Sequence, residues 1–92
     1  MNKAELVDVI AKRTGGTKAD TERHLDEMLG VIADTLAEGQ ELRLTGFGTF
    51  AVSQRKARRG RNPQTGLAIQ IPATTVPVFR AGVQLREAVK AK

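Results

Sequence analysis

The sequence predicts an α+β fold, with two helices, an antiparallel sheet carrying a two-stranded ribbon, and a short last helix. Three observations carry that prediction. Apolar residues recur at helical spacing over residues 2–13 and again over 18–38. From Leu42 the apolar period changes from 3.6 to 2. Between Gln54 and Arg61 the apolar partners vanish, although nothing there breaks an extended chain.

Each element follows from local chemistry. Asn2 caps the first helix, and Glu5, three residues on, completes a capping-box pattern. Leu6, Val7, Ile10 and Ala11 form one stripe, and Thr14-Gly15-Gly16 ends the helix. Thr17 caps the second helix with Asp20 three residues later. Leu25, Met28, Leu29, Ile32 and Leu36 form its stripe, widened by Val31 and Ala33, and Gly39 stops it. Leu42 and Leu44 alternate with polar residues as a first strand. Gly46-Phe47-Gly48 is a tight turn, and Phe50 and Val52 alternate as a second strand.

Residues 54–73 are expected to project as a ribbon. Asn62-Pro63-Gln64-Thr65-Gly66 is a turn by composition, and Leu67–Pro72 returns as a strand. A ribbon without a sheet behind it is marginal alone in water, so this one is expected to be mobile until bound. Val76, Val78 and Phe79 rejoin the sheet, with Pro77 limiting where that strand can lie. Residues 83–91 form the last helix, with Leu85, Ala88 and Val89 inward and Arg86, Lys90 and Lys92 outward.

Composition excludes several classes of function. The 92 residues contain no cysteine, which removes disulfides and thiolate metal sites, and the lone His24 cannot make a metal cluster. His24 lies four residues after Asp20 and is expected to pair with it at the surface. No apolar run is long enough for a membrane span, and the N-terminus lacks a signal-peptide core, so a cytoplasmic location is expected. No catalytic residues, metal, cofactor or small-molecule substrate are indicated, because neither a nucleophile nor paired carboxylates sit in a recognisable motif.

Charge is informative through its distribution. Residues 1–50 hold six basic and nine acidic residues, a balance of −3, while residues 51–92 hold nine basic residues against Glu87, a balance of +8. No acid occurs between Glu41 and Glu87. A solubilising surface mixes both signs, so this segregation points to a polyanion, with nucleic acid ahead of an anionic membrane. Aromatics are scarce: three Phe, no Trp and no Tyr. Without the ribbon the body is too small and too poor in large side chains for a comfortable core, while helix 2 is apolar over much of its circumference. A dimer with a fused core resolves the mismatch.

The run from Gly46 to Gly66, GFGTFAVSQRKARRGRNPQTG, resembles the signature of the bacterial histone-like HU and integration host factor family. Met1–Leu6, Ile71-Pro72-Ala73, Val76–Phe79 and Ala81-Gly82 are similar too, so the resemblance covers the whole chain. It implies a single DNA-binding domain in an intertwined homodimer. Residues 1–40 would be a two-helix dimerisation base, 41–53 and 74–81 the strands of a three-stranded antiparallel β saddle, 54–73 a long DNA-clasping arm, and 82–92 the C-terminal helix. By the same resemblance Pro63 is the wedge inserted between base steps of double-stranded DNA. Arg55, Lys56, Arg58, Arg59, Arg61 and Asn62 belong to the arm's DNA-binding surface, with Arg55, Arg58 and Arg61 lining the minor groove. Lys3, Arg80 and Arg86 meet flanking phosphates. Leu29, Ile32, Leu36, Leu44, Phe47, Phe50 and Phe79 make the dimer core. The implied function is architectural, largely sequence-independent bending of DNA in the bacterial nucleoid, with a preference for bent, nicked or gapped duplex.

The chemistry of the residues agrees. From Arg55 to Pro63 a strand would run roughly 26 Å, several base pairs of reach. A ribbon is thin enough for a minor groove about 6 Å wide, whose degenerate pattern allows weak sequence readout at most. Val83 and Leu67 stand where many family members carry Lys and a polar residue, which reduces the flanking contact surface. Rival functions fit less well. A helix-turn-helix repressor would need helix 2 for recognition, yet it holds Asp20, Glu22, Asp26, Glu27, Asp34 and Glu38 against Lys18 and Arg23. RNA modules stack bases on exposed aromatics, which the basic region lacks. Site-specific bending of the integration host factor type is the nearest alternative, sharing fold and arms.

Overall fold

A computed structural model describes residues 1–91; Lys92, expected on the outer side of the last helix, lies outside the described residues. The order is α1 (Lys3–Thr14), α2 (Lys18–Ala37), β1 (Leu42–Leu44), β2 (Gly48–Arg55), β3 (Arg58–Arg61), β4 (Ala68–Ile71), β5 (Thr74–Ala81) and α3 (Val83–Lys90). Two compact units result, Met1–Asp34 and Thr35–Lys92. No helix among the described residues is long and apolar enough to cross a membrane.

In the first unit the cap signals act as read. The Asn2 side-chain oxygen accepts from the Glu5 N–H at 2.9 Å, and Gly15 closes α1 with φ 74°. The Thr17 hydroxyl accepts from the Asp20 N–H at 3.1 Å to start α2. Val7 and Ala11 of α1 and Thr21 and Leu25 of α2 are the buried residues of these helices. Two ion pairs tie the helices together, Lys18 to Asp8 at 3.2 Å and Lys3 to Asp26 at 2.7 Å, while Lys12 also meets Asp8 at 3.2 Å within α1. The expected Asp20–His24 pair is replaced. Arg23 Nη2 takes the Asp20 carboxylate at 3.0 Å, the guanidinium three residues on presenting a fixed fork of donors that matches carboxylate geometry.

The α2 stripe is only partly covered by its own chain. Met28 and Leu29 are 49% and 47% exposed. Ile32 is half-buried.

In the second unit β1, β2 and β5 form an antiparallel sheet in the order β1-β2-β5. Leu42 pairs with Phe50 and Leu44 with Gly48 on one side of β2; Gly48 pairs with Ala81 and Arg55 with Thr74 on the other. The β1–β2 turn is closed by the Phe47 N–H donating to the Leu44 carbonyl at 2.9 Å, with Gly46 at φ 84° in the third position, where a side chain would be strained. A Cβ on Gly48 would lie 2.5 Å from Phe79 Cζ and 2.7 Å from the Arg80 carbonyl oxygen, so the sheet closes only around glycine. Pro77 sits on β5, an edge strand, where a missing donor costs least.

Pairing register and the two-residue pleat give this sheet two unlike faces. Leu42, Leu44, Phe50, Val52, Pro77 and Phe79 share the apolar one. The rings of Phe50 and Phe79 lie 4.8 Å apart and those of Phe47 and Phe79 5.4 Å, both tilted by 45°. Even so, Phe47 and Phe79 remain 46% and 41% exposed.

Two expectations need correction here. The extended chain does not run unbroken from Gln54. Gln54 and Arg55 still belong to the β2–β5 ladder, which then stops; β3 and β4 form a separate two-stranded sheet beyond Lys56-Ala57 and Pro72-Ala73. Pro72 has no N–H to donate, which accounts for the break on the return strand. The α3 helix also ends one residue early and does not turn Ala88 and Val89 inward. Both are exposed and only Leu85 is half-buried, because one chain supplies nothing to cover them. Its start is fixed by the Gly82 N–H donating to the Phe47 carbonyl at 2.7 Å.

Candidate nucleic-acid interface

The ribbon pairs Arg58 with Ile71, Arg59 with Gln70, Gly60 with Ile69 and Arg61 with Ala68. Alternation then sorts its side chains. Arg58, Gly60, Ile69 and Ile71 share one face; Arg59, Arg61, Ala68 and Gln70 share the other. On the first face a Cβ on Gly60 would come 2.7 Å from Ile71 Cδ1, so the end of that side chain would have to move aside. Arg58 and Arg61 therefore project from opposite faces, three residues apart being an odd number in a strand. Arg55 is placed at the end of β2, in the other sheet, opposite Thr74. Lys56 lies in the interruption between the two ladders. The reach expected of one strand from Arg55 to Pro63 is thus divided between two ladders and a loop.

The tip is a loop whose turn is held by its own backbone and side chains. The Asn62 N–H donates to the Leu67 carbonyl at 2.9 Å, and the Gly66 N–H returns to the Asn62 carbonyl at 2.7 Å. The Asn62 side-chain oxygen accepts from the Gln64 N–H at 2.9 Å, and the Thr65 hydroxyl accepts from the Leu67 N–H at 3.3 Å. Gly66 turns the chain with φ 73°. These bonds leave Pro63 exposed at the apex with no donor left over to satisfy. Asn62 is engaged as the scaffold of this loop. Leu67 is 68% exposed beside it.

The flanking cations sit differently. Lys3 is held by Asp26 and lies 4.0 Å from Glu22; the Asp26 hydrogen bond raises its pKa above the ordinary lysine value. Arg80 Nη2 is 3.0 Å from Glu41. Arg86 is exposed on α3. Of the dimer-core candidates, Leu44, Phe47, Phe50 and Phe79 come together around the apolar sheet face, while Leu29, Ile32 and Leu36 lie along α2.

A basic ribbon with a proline at its tip beside a three-stranded antiparallel sheet, in a chain with this charge division, can be matched to known proteins. The family model described as bacterial DNA-binding protein matches residues 1–90. The chain belongs to this family. It is 50% identical over 90 residues to DNA-binding protein HU-1 of Halalkalibacterium halodurans, covering 98% of this chain and 100% of that one. It is 51% identical over 89 residues to DNA-binding protein HU-beta of Escherichia coli, covering 97% and 99%. The solved Anabaena HU–DNA cocrystal structure matches with a TM-score of 0.95 at 43% identity over the whole of both chains. HU of Thermotoga maritima matches with a TM-score of 0.71 at 34% identity, covering 97% of this chain and 98% of that one. The histone-like family expected from the sequence is confirmed, and with it the α+β fold of three helices and antiparallel strands.

Proposed function

We propose that two copies of this chain form an intertwined homodimer that binds double-stranded DNA through the minor groove and bends it with little regard to sequence. In this reading residues 1–40 are the dimerisation base, the β1-β2-β5 sheet is the saddle, and residues 54–73 are the arm. The protein is an architectural component of the bacterial nucleoid, hence cytoplasmic, and acts by binding rather than catalysis. It compacts DNA and stabilises bent, nicked or gapped duplex.

The ribbon is the observation that carries this reading. It stands as its own two-stranded sheet, has arginines on both faces and ends in a loop that holds Pro63 at its apex. Arginine suits the negative potential of a narrow minor groove. A proline wedge unstacks one base step at a cost of about a few kcal/mol, offset if the bend brings phosphates onto the body. Lys3, Arg80 and Arg86 are the residues proposed to meet those phosphates. A nick or gap makes the bend cheaper in advance. The homodimer is supported by the apolar groups that one chain leaves exposed, Met28 and Leu29 on α2 and Phe47 and Phe79 on the sheet.

Gel shifts with intact, nicked and gapped duplexes of one sequence, run alongside sizing of the free protein, test the proposal. Tighter binding to the interrupted duplexes by a species of twice the chain mass is the expected result. Equal affinity for all three, or a monomer with concentration-independent melting, would overturn it. One sequence held far above bulk DNA would mark a site-specific bender instead.

A further inference from the structure

The ribbon has two unlike faces, and its returning strand makes the difference. Beyond the last ladder pair, Arg61 with Ala68, the Asn62 N–H donates to the Leu67 carbonyl at 2.9 Å, which carries the same register one step further. The two-residue pleat therefore puts Leu67 on the face of Ile69 and Ile71. From Leu67 to Ile71 this stripe runs roughly 13 Å, at about 3.3 Å per residue. Across from it on the outgoing strand, Gly60 has no side chain, and the Asn62 side-chain oxygen is turned into the tip loop by the Gln64 N–H. Arg58 shares this face at its base, while Arg59, Arg61 and Gln70 lie on the other. Leu67 and Ile69 are exposed, at 68% and 43%.

An apolar stripe on so basic a ribbon calls for an occupant that is both apolar and anionic. Residues 54–73 hold Arg55, Lys56, Arg58, Arg59 and Arg61 and no acid, so a second copy of the ribbon would be repelled. The wall of a DNA minor groove meets both demands: phosphates rim it, and the deoxyribose rings that line it present C–H groups. RNA differs at this wall, because its minor groove displays a 2′-hydroxyl on each sugar. Against Leu67 and Ile69 such a hydroxyl would lose water without gaining a hydrogen bond, which is unfavourable.

We infer that Leu67, with Ile69, packs on the deoxyribose wall of the groove and selects DNA over a strand that carries 2′-hydroxyls. This rests on the minor-groove binding proposed above. Arginines meet the phosphates of either nucleic acid alike, so the apolar stripe supplies a distinction between sugars that charge does not.

The test uses the full chain and two duplexes of one sequence, all-DNA and RNA–DNA hybrid, with binding followed by fluorescence anisotropy at several salt concentrations. Leu67→Gln should weaken binding to DNA by about tenfold over the two arms, from apolar area no longer buried. The log–log slope should stay at its wild-type value, since no charge is lost. Affinity for the hybrid should not change, so the wild-type preference for DNA shrinks by the same factor. Leu67→Met should keep that preference. Wild-type affinity of Leu67→Gln for DNA, or an equal loss on both duplexes, would overturn the inference. So would a fall in the mass of the free protein, which would give the stripe to a second copy. Arg61→Gln separates the inference from the reading beneath it. A lowered slope keeps the arm on DNA whatever Leu67 does, whereas a wild-type slope would remove the groove contact and the inference with it.

Discussion

Neutralising the arm gives the sharpest quantitative expectation. Arg58→Gln with Arg61→Gln removes two charges per chain and four per dimer. If all four neutralise phosphates, the slope of log K against log salt should fall by about 3.6 units, at about 0.9 per phosphate on duplex DNA. Between 50 and 200 mM salt, a fourfold change, that difference amounts to roughly 2.2 decades in relative affinity. The variant should bind far more weakly than wild type at low salt and approach it at high salt. Fluorescence anisotropy on a labelled duplex over that range reads both quantities directly.

The single variants carry more structural information than the double. Arg58 and Arg61 lie on opposite faces of the ribbon, Arg58 with Ile69 and Ile71 and Arg61 with Ala68 and Gln70. A ribbon inserted into a groove about 6 Å wide meets a wall on each face. Each single variant should then lower the slope by about 1.8 units, and the two effects should add. A ribbon lying flat against the backbone would give the whole effect to one arginine and none to the other. An unchanged slope in the double variant would remove the arm from DNA binding altogether.

Three further perturbations probe other elements. Pro63→Ala should reduce the bend angle measured by energy transfer more than it reduces affinity, since the apex loop is held by Asn62, Thr65 and Gly66 rather than by the proline; an unchanged bend would count against a wedge. Gly48→Ala places a methyl 2.5 Å from Phe79 Cζ and should destabilise the fold by about 1–3 kcal/mol, read as a clear drop in Tm at fixed protomer concentration; an unchanged Tm would mean that β2 and β5 separate freely there. Hydrogen bonds from Lys12 and then Lys18 hold the Asp8 carboxyl below the usual carboxylate range. Its contribution is therefore complete above the unfolded value near ~3.9 and is lost as pH falls through the lower folded value. Asp8→Asn should lower Tm at neutral pH, with the gap to wild type closing in acid; a gap that persists at low pH would place the effect in packing rather than charge.

The residues that could be read from sequence are those whose partners are near in the chain. Asn2 with Glu5, and Thr17 with Asp20, satisfy helix ends within three residues, so the caps are local facts. The α2 stripe was equally visible, as was its excess over what one chain can cover. Sequence does not decide where two local partners compete or where a ladder ends. Asp20 had both Arg23 and His24 within reach, and spacing alone does not rank them. The break beyond Arg55 was marked by Pro72, but a proline also fits an edge strand, as Pro77 does in β5. Only the pairing partner tells the two cases apart.

Register is the least local property, and it decides what each face of the ribbon carries. The opposite facing of Arg58 and Arg61 follows from parity once residues 58–61 are known to be one strand, but a loop or bulge there would erase it. Leu67 shows the stronger case. Its place in line with Ile69 and Ile71 follows from alternation along one strand. Its place on the face away from Arg59 and Arg61 requires the tip to close with Asn62 opposite it, in one register out of several. A shift of one residue would put Leu67, Ile69 and Ile71 among those arginines and leave neither face apolar. The bonds of the tip loop, from Asn62 to Leu67 and from Gly66 back to Asn62, oppose that slip, so the turn that presents Pro63 also sorts the apolar residues from the cations. Leu67 and Arg61 are in this sense specified together, and an insertion at the tip that shifted the β4 register would be expected to reduce the preference for DNA over a hybrid without altering a single charge.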